Sequence, residues 1–138
     1  EQKEKFDRVD DSVCAVRSAL QEGILPGGGL ALWRLSPDLQ EDCDHPEENI
    51  ANRILHASLR APLLQIMENA GLDGELIMDQ PDLIDDTHGF DVKNEKYGDM
   101  YKMGIIDPLK VTKNALINAV SVATTILSTD AIVTHARA

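Results

Sequence analysis

Aromatic side chains are scarce in this sequence: Phe, Tyr and Trp make up 4% of its 138 residues. Any core must therefore be built from Leu, Ile, Val, Ala and Met. Cysteine is scarcer still, with only Cys14 and Cys43, far apart and in no CxxC pair. That excludes a disulfide framework and a thiolate zinc site, and it fits a reducing compartment. Basic charge is short as well, with 13 Lys and Arg against 24 Asp and Glu for a net −11. A surface so acidic repels phosphate, which excludes nucleic acid and anionic membrane as general partners. There is no long hydrophobic run, because the most apolar stretch, 115–127, is broken by Asn118, Ser121, Thr124 and Thr125. No segment is therefore expected to span a membrane. A basic-then-apolar leader is missing, and the chain opens at Glu1 inside a charged helical pattern, which predicts a piece of a longer protein. Internal repeats and low-complexity tracts are absent.

What is present reads as one small, mostly helical domain of 15.2 kDa, with 43% hydrophobic residues to bury. Val9, Val13, Val16 and Leu20 share one helical face, which predicts a helix over 7–22. Asp7, Asp10 and Asp11 fall in its first turns, where acids complement the helix dipole, and Gly23 ends it. Pro26-Gly27-Gly28-Gly29 is a sterically open turn before a second helix at Leu30. Residues 36–48, with two prolines and six acids, read as an exposed loop. A further helical block covers 48–70, and Pro62 is expected to kink or divide it, best as the first residue of a new helix. Residues 75–88 fit strand or helix equally.

Two short strands are expected at 89–92 and 103–106, flanking a polar excursion. Pro108 is placed as the first helical residue after an Asp107 cap. The following helix, to about 128, is apolar on nearly every side and reads as a buried central helix. The β-prone Ala131-Ile132-Val133-Thr134 closes the chain as a short strand.

Few residues advertise chemistry. Gly27, Gly28 and Gly29 could let a backbone lie against a nucleotide, or could simply make a tight inter-helix turn; neither the P-loop nor the GxGxxG spacing is met. Asp10 and Asp11 could present a carboxylate to a metal or a water, or serve only the helix dipole. Asp107 reads as a cap that could also bind a ribose. His45, His56, His88 and His135 show no ligand spacing, and the acidic run 79–86 lacks the order of a calcium loop. No metal site is expected. Spacing alone does not reveal a function.

The motifs taken together resemble the group I chaperonins, the GroEL family. Arg8-Val9-Asp10-Asp11 and Glu22-Gly23-Ile24-Leu25-Pro26-Gly27-Gly28-Gly29 match its signature. So do Ala61-Pro62-Leu63, Asn69-Ala70-Gly71, Gly89-Phe90-Asp91, Tyr97-Gly98-Asp99-Met100 and Gly104-Ile105-Ile106-Asp107-Pro108-Leu109-Lys110-Val111-Thr112, in the family's order over 1–134. The resemblance implies a mainly α fold of the equatorial-domain type, with a small β-hairpin and a short C-terminal strand. Residues 1–23 would be the intermediate-domain helix and hinge, with Gly23 at the hinge, and 24–138 the second half of the equatorial ATP-binding domain.

The resemblance also implies roles. Asp11 matches the carboxylate that supports attack of water on ATP, and Gly28 the glycine whose backbone lies against the nucleotide. Asp91, Val92 and Lys93 match the adenine-side contacts, and Asp107 the ribose-binding carboxylate. Many bacterial members carry Asn-Ala-Ala where this chain has Asp91-Val92-Lys93.

The family's phosphate-binding Asp-Gly-Thr-Thr-Thr run, with its magnesium aspartate, has no counterpart in these residues. The chain is accordingly expected to belong to an ATP-dependent, ring-forming folding machine that uses ATP with magnesium. By itself it is expected neither to hydrolyse ATP nor to bind it tightly. Its expected partners are copies of itself in heptameric rings, with the co-chaperonin and unfolded clients held by an apical domain that these residues do not include. The expected compartment is bacterial cytoplasm, with an organelle matrix as the alternative. A second reading is a stand-alone, non-catalytic acidic helical module, derived from a chaperonin, that binds a protein partner.

Overall fold

The computed structural model describes residues 2–40, 45–79, 85–131 and 133. In chain order these form α1 (Gln2–Glu22), β1 (Ile24–Pro26), α2 (Leu30–Leu35), a 3-10 turn (Pro37–Gln40), α3 (Pro46–Asn69) and α4 (Gly74–Met78). Then follow β2 (His88–Asp91), β3 (Lys96–Asp99), β4 (Ile106–Pro108) and α5 (Leu109–Leu127). The architecture is mainly α, as the sequence predicts. Two compact units emerge, one from Glu1–Gly23 with Pro108–Ala138 and the other from Ile24–Asp107.

In the first unit α1 packs against α5. Leu109 N–H donates to the Gly23 carbonyl at 3.1 Å, Lys110 Nζ to Gln21 Oε1 at 2.6 Å, and Lys113 pairs with Glu22. Helix α1 starts at Gln2, earlier than its apolar spacing predicts, because Glu4 and Arg8 already form an i,i+4 ion pair at 2.7 Å. Asp10 and Asp11 therefore lie in mid-helix, and the dipole role expected of them is removed. Gly23 does end the helix, at φ 96°, with its N–H on the Ala19 carbonyl at 2.8 Å.

Helix α5 departs from expectation twice. Pro108, at ψ 126°, is its N-cap, and Asp107 lies in β4 instead of capping. Neither α1 nor α5 buries a side chain, so α5 is no central core helix here: the two helices cover only part of each other's apolar surface.

The second unit holds the core, formed by Leu30, Leu63, Met67, Met78 and Met100. Helix α3 runs unbroken through Pro62. The missing N–H forfeits one helical bond, but Leu59, Leu63 and Met67, spaced by four, keep a single buried face across the proline. The ambiguous segment after Gly71 contains α4, capped by Asp73, whose carboxylate accepts from Leu76 N–H at 3.2 Å. Arg60 stacks on the Trp33 ring, 4.1 Å from its centroid, and pairs with Glu75, tying α2, α3 and α4 together.

Strand β2 pairs antiparallel with β3, with Phe90 opposite Tyr97 and Asp91 opposite Lys96. The second strand of the hairpin is thus 96–99, whereas the sequence pattern suggested 103–106. Four residues, 92–95, suffice for the turn, with Glu95 at φ 52°. Strand β4 pairs with β1 instead, and Gly27 N–H extends that contact to the Ile105 carbonyl at 2.9 Å. The expected loop at 36–48 contains the 3-10 turn and the start of α3, with Ser36 buried and its hydroxyl donating to the Trp33 carbonyl at 2.7 Å. Residues 41–44 and 80–84 lie outside the described residues, as do 132 and 134 of the expected terminal strand. Ala131 and Val133 carry no regular structure.

Candidate functional site

Beside the core of the second unit lies a cavity of about 220 Å³. Leu63, Ile66 and Met67 of α3 form one wall; Phe90, Met100 and Ile105 form another. Its rim contains Gly28, Asp91, Val92 and Lys93, so the structure brings together four residues drawn from two distant sequence motifs. A drug-sized ligand needs roughly 300–1,000 Å³, so this space suits a single ring system.

The glycine turn divides its work. A Cβ on Gly29 would stand 2.9 Å from Leu63 N, so Gly29 is required by the close approach of α2 to α3. Gly28 is different: its φ is 66°, yet a Cβ there would meet nothing nearer than Met100 Cε at 3.6 Å. The tight-turn reading explains Gly29, and it leaves Gly28 as open backbone at the cavity rim.

The Asp107 carboxylate faces the Gly28 backbone N–H, whose dipole favours its charged form, and this joins a fifth predicted residue to the group. Partial burial pushes the Asp107 carboxyl above its ordinary value, and the Gly28 N–H only partly opposes that. Displaced from its expected capping role, the side chain instead faces the glycine turn from β4.

Asp91 is 9% exposed and spends its carboxylate on its own hairpin. Oδ1 accepts from Lys93 N–H at 2.9 Å and Asn94 N–H at 3.3 Å, and Oδ2 accepts from Asn94 Nδ2 at 2.5 Å. The Asn94 side chain is the main reason its pKa lies below the ordinary carboxylate value. Just before β2, Asp85 closes a similar turn. His88 Nδ1 lies 2.7 Å from its Oδ1, which also accepts from Thr87 Oγ1 at 2.7 Å, Thr87 N–H at 2.9 Å and His88 N–H at 3.0 Å. The bond with His88, followed by those from Thr87, holds this carboxyl far below the usual range. Arg34 donates to the carbonyls of Asp85 and His88 at 2.9 and 3.1 Å, anchoring the entry of β2 on α2.

Asp11 belongs to the other unit, where it is exposed midway along α1. Among the described residues no group of three or more His, Cys, Asp or Glu could hold a metal ion, and no helix is long and apolar enough to cross a membrane.

Comparisons with known proteins speak to the family and the fold. The model of the TCP-1/cpn60 chaperonin family matches residues 1–137, essentially end to end. The chain belongs to the TCP-1/cpn60 chaperonin family. The crystal structure of a group III chaperonin in the open state superposes with a TM-score of 0.70 at 26% identity, over 84% of this chain and 25% of that one. The chain thus spans about a quarter of the length of that chaperonin.

Reading the sequence for polar chemistry missed the walls of this chaperonin cavity. Leu63 and Met100 sit inside two of the family motifs, which was the signal available; Ile66 and Met67 lie between motifs and carried none.

Proposed function

We propose that this chain is the hinge and second half of the nucleotide-binding domain of a group I, ATP-dependent chaperonin that assists folding as a ring of like subunits. One observation carries the reading: Gly28, Asp91, Val92 and Lys93 line one cavity, with the Asp107 carboxylate facing the Gly28 backbone. The apolar walls would hold a base by burial, the open backbone at Gly28 would let the rest of a nucleotide pass closely, and the Asp107 carboxylate would accept from ribose hydroxyls. Asp11 would supply the carboxylate that orients water for attack on the terminal phosphate. Phosphoryl transfer depends on metal and phosphate positioning. The sequence contains no Asp-Gly-Thr-Thr-Thr run, and among the described residues no acidic group could hold a metal ion; the 138-residue chain by itself is accordingly expected not to turn over ATP.

The test is a nuclear magnetic resonance titration of the chain with AMP, alongside a Mg-ATPase assay. Saturable shifts at Gly28, Val92 and Asp107 without phosphate release are expected. Shifts confined elsewhere would refute the site, and steady phosphate release would refute the inactivity.

A second reading draws on a different observation, the apolar residues exposed along α1 and α5. They favour a non-catalytic helical module that docks on protein, and a chain that binds a partner but no nucleotide would decide for it.

A further inference from the structure

We propose that the exposed apolar seam of α1 pairs in parallel, and in register, with the same seam on a second copy of this chain. This contact needs only α1 and is independent of the nucleotide reading.

Phe6, Val9, Val13, Val16 and Leu20 are spaced 3, 4, 3 and 4 residues apart, the a and d positions of a heptad. All of them are open to solvent, from 43% for Val13 to 82% for Leu20. Packing against α5 leaves them uncovered, because the half-buried residues of α1 are Ala15, Ser18 and Ala19. Those three lie roughly 150° from the seam around a helix of 3.6 residues per turn. The bonds between α1 and α5 gather at Gln21, Glu22 and Gly23, beyond the end of the seam. The seam is therefore a second face, left over once α1 has met α5.

The width of that face decides what fits it. A stripe made for a globular core spreads into e or g, whereas a strict a and d stripe is the seam of paired helices. Here e holds Lys3, Asp10 and Arg17, and g holds Lys5, Ser12 and Ala19, so only Ala19 widens the stripe. The occupant is accordingly another helix, and charge matches it to α1 itself. In a parallel pair, g of one helix meets the following e of the other. Lys5 then faces Asp10 of the partner subunit, once on each side, and Ser12 faces Arg17 of the partner subunit without conflict. Antiparallel pairing sets a against d, so three a residues and two d residues leave Phe6 or Leu20 unmatched. Parallel pairing keeps all five layers. β-branched residues at both a and d also admit a third strand. A same-to-same contact of this kind closes on itself, unlike the head-to-tail contact that builds a ring.

Cross-linking and sedimentation of the full chain test the contact. Cys43→Ser leaves Cys14 as the one thiol, exposed at b, where pairing holds it away from its counterpart. Cys43→Ser with Cys14→Ser and Val13→Cys moves the thiol by one residue to a, where the copies meet. Mild oxidation should link the second variant into covalent dimers and leave the first unlinked. Equal linking of both variants, or of neither, overturns the proposal. In sedimentation equilibrium Val13→Asp should weaken association about tenfold or more. Lys5→Asp and Asp10→Lys should each weaken it by about two- to fivefold, and the two together should restore it. These positions are solvent-exposed, so the changes leave the packing of α1 on α5 intact. A chain that stays monomeric overturns the proposal. Association that Val13→Asp does not weaken, or that the paired charge swap does not restore, overturns it as well and assigns the contact to another face, such as that of α5.

Discussion

Asp107 shows how a single side chain can carry opposite terms. Partial burial disfavours its charged form, while the Gly28 N–H favours it, and burial is the larger effect. Its pKa in the folded chain is raised, so the folded state holds the proton more tightly than the unfolded state does. Stability from this group is then complete below the ordinary carboxylate value and declines as pH rises through the raised one. Asp107→Asn removes the charge and keeps an oxygen that can accept from Gly28. Its melting temperature should exceed that of the unaltered chain at neutral pH, and the gap should close in acid; thermal unfolding across pH checks both. Asp85 has the opposite sign. Its pKa is depressed by His88 and Thr87, so its contribution is present above the ordinary carboxylate value and lost as pH falls toward the depressed one. Asp85→Ala should melt lower than the unaltered chain at neutral pH, with the difference shrinking in acid. A gap that stays constant down to strongly acid pH would contradict the turn-closing role of this carboxylate.

Helix α3 puts a similar question to a whole element. Pro62 breaks one backbone bond in the middle of a 24-residue helix, yet the helix continues because Leu59, Leu63 and Met67 stay on one buried face. The proline side chain is exposed, so replacing it should restore the bond without disturbing the core. Pro62→Ala is expected to stabilise the chain by about 1–3 kcal/mol in urea unfolding, since a helix-interior proline costs about 3 kcal/mol. At the N-terminus of α4, Asp73→Ala should cost about 1 kcal/mol through loss of the Leu76 cap.

These elements also show what periodicity could reveal. The apolar spacing located α1 and α3, and Gly23 marked the end of α1 to the residue. Proline was misread, because a rule about local backbone bonding took no account of the tertiary burial that carries α3 through it. The strand at 96–99 was missed because Lys96-Tyr97-Gly98-Asp99 shows little alternation, and its pairing is set by the turn that Asp91 closes. The site was legible only as far as motifs reached. Gly28, Asp91, Val92 and Lys93 stand out in the sequence, but no spacing predicts that Asp107 would face Gly28 instead of capping α5.

On the scale of the molecule, net charge falls on one unit while exposed large apolar side chains are more numerous on the other, twelve against eight. The unit of Ile24–Asp107 carries seventeen acidic and six basic residues, so the whole net charge of −11 resides there. The unit of α1 and α5 has seven of each sign and is neutral overall. That neutral unit is also where burial is least complete, with Leu20 82% and Leu127 83% exposed and no side chain of either helix buried. An acidic chain with one neutral, apolar unit should self-associate through that unit. Each large apolar side chain removed from water contributes about 1.5–3 kcal/mol, enough for micromolar association from a handful of them. The acidic units would still repel one another, so screening should strengthen the contact, contrary to the behaviour of an interface held by ion pairs. Sedimentation velocity over a range of concentrations should therefore show association that increases with added salt. Leu20→Glu combined with Val120→Glu should weaken it by about tenfold or more. Association that weakens as salt is added would point to an ion-paired contact instead, and a chain that stays monomeric throughout would show that the exposed faces of α1 and α5 do not find each other.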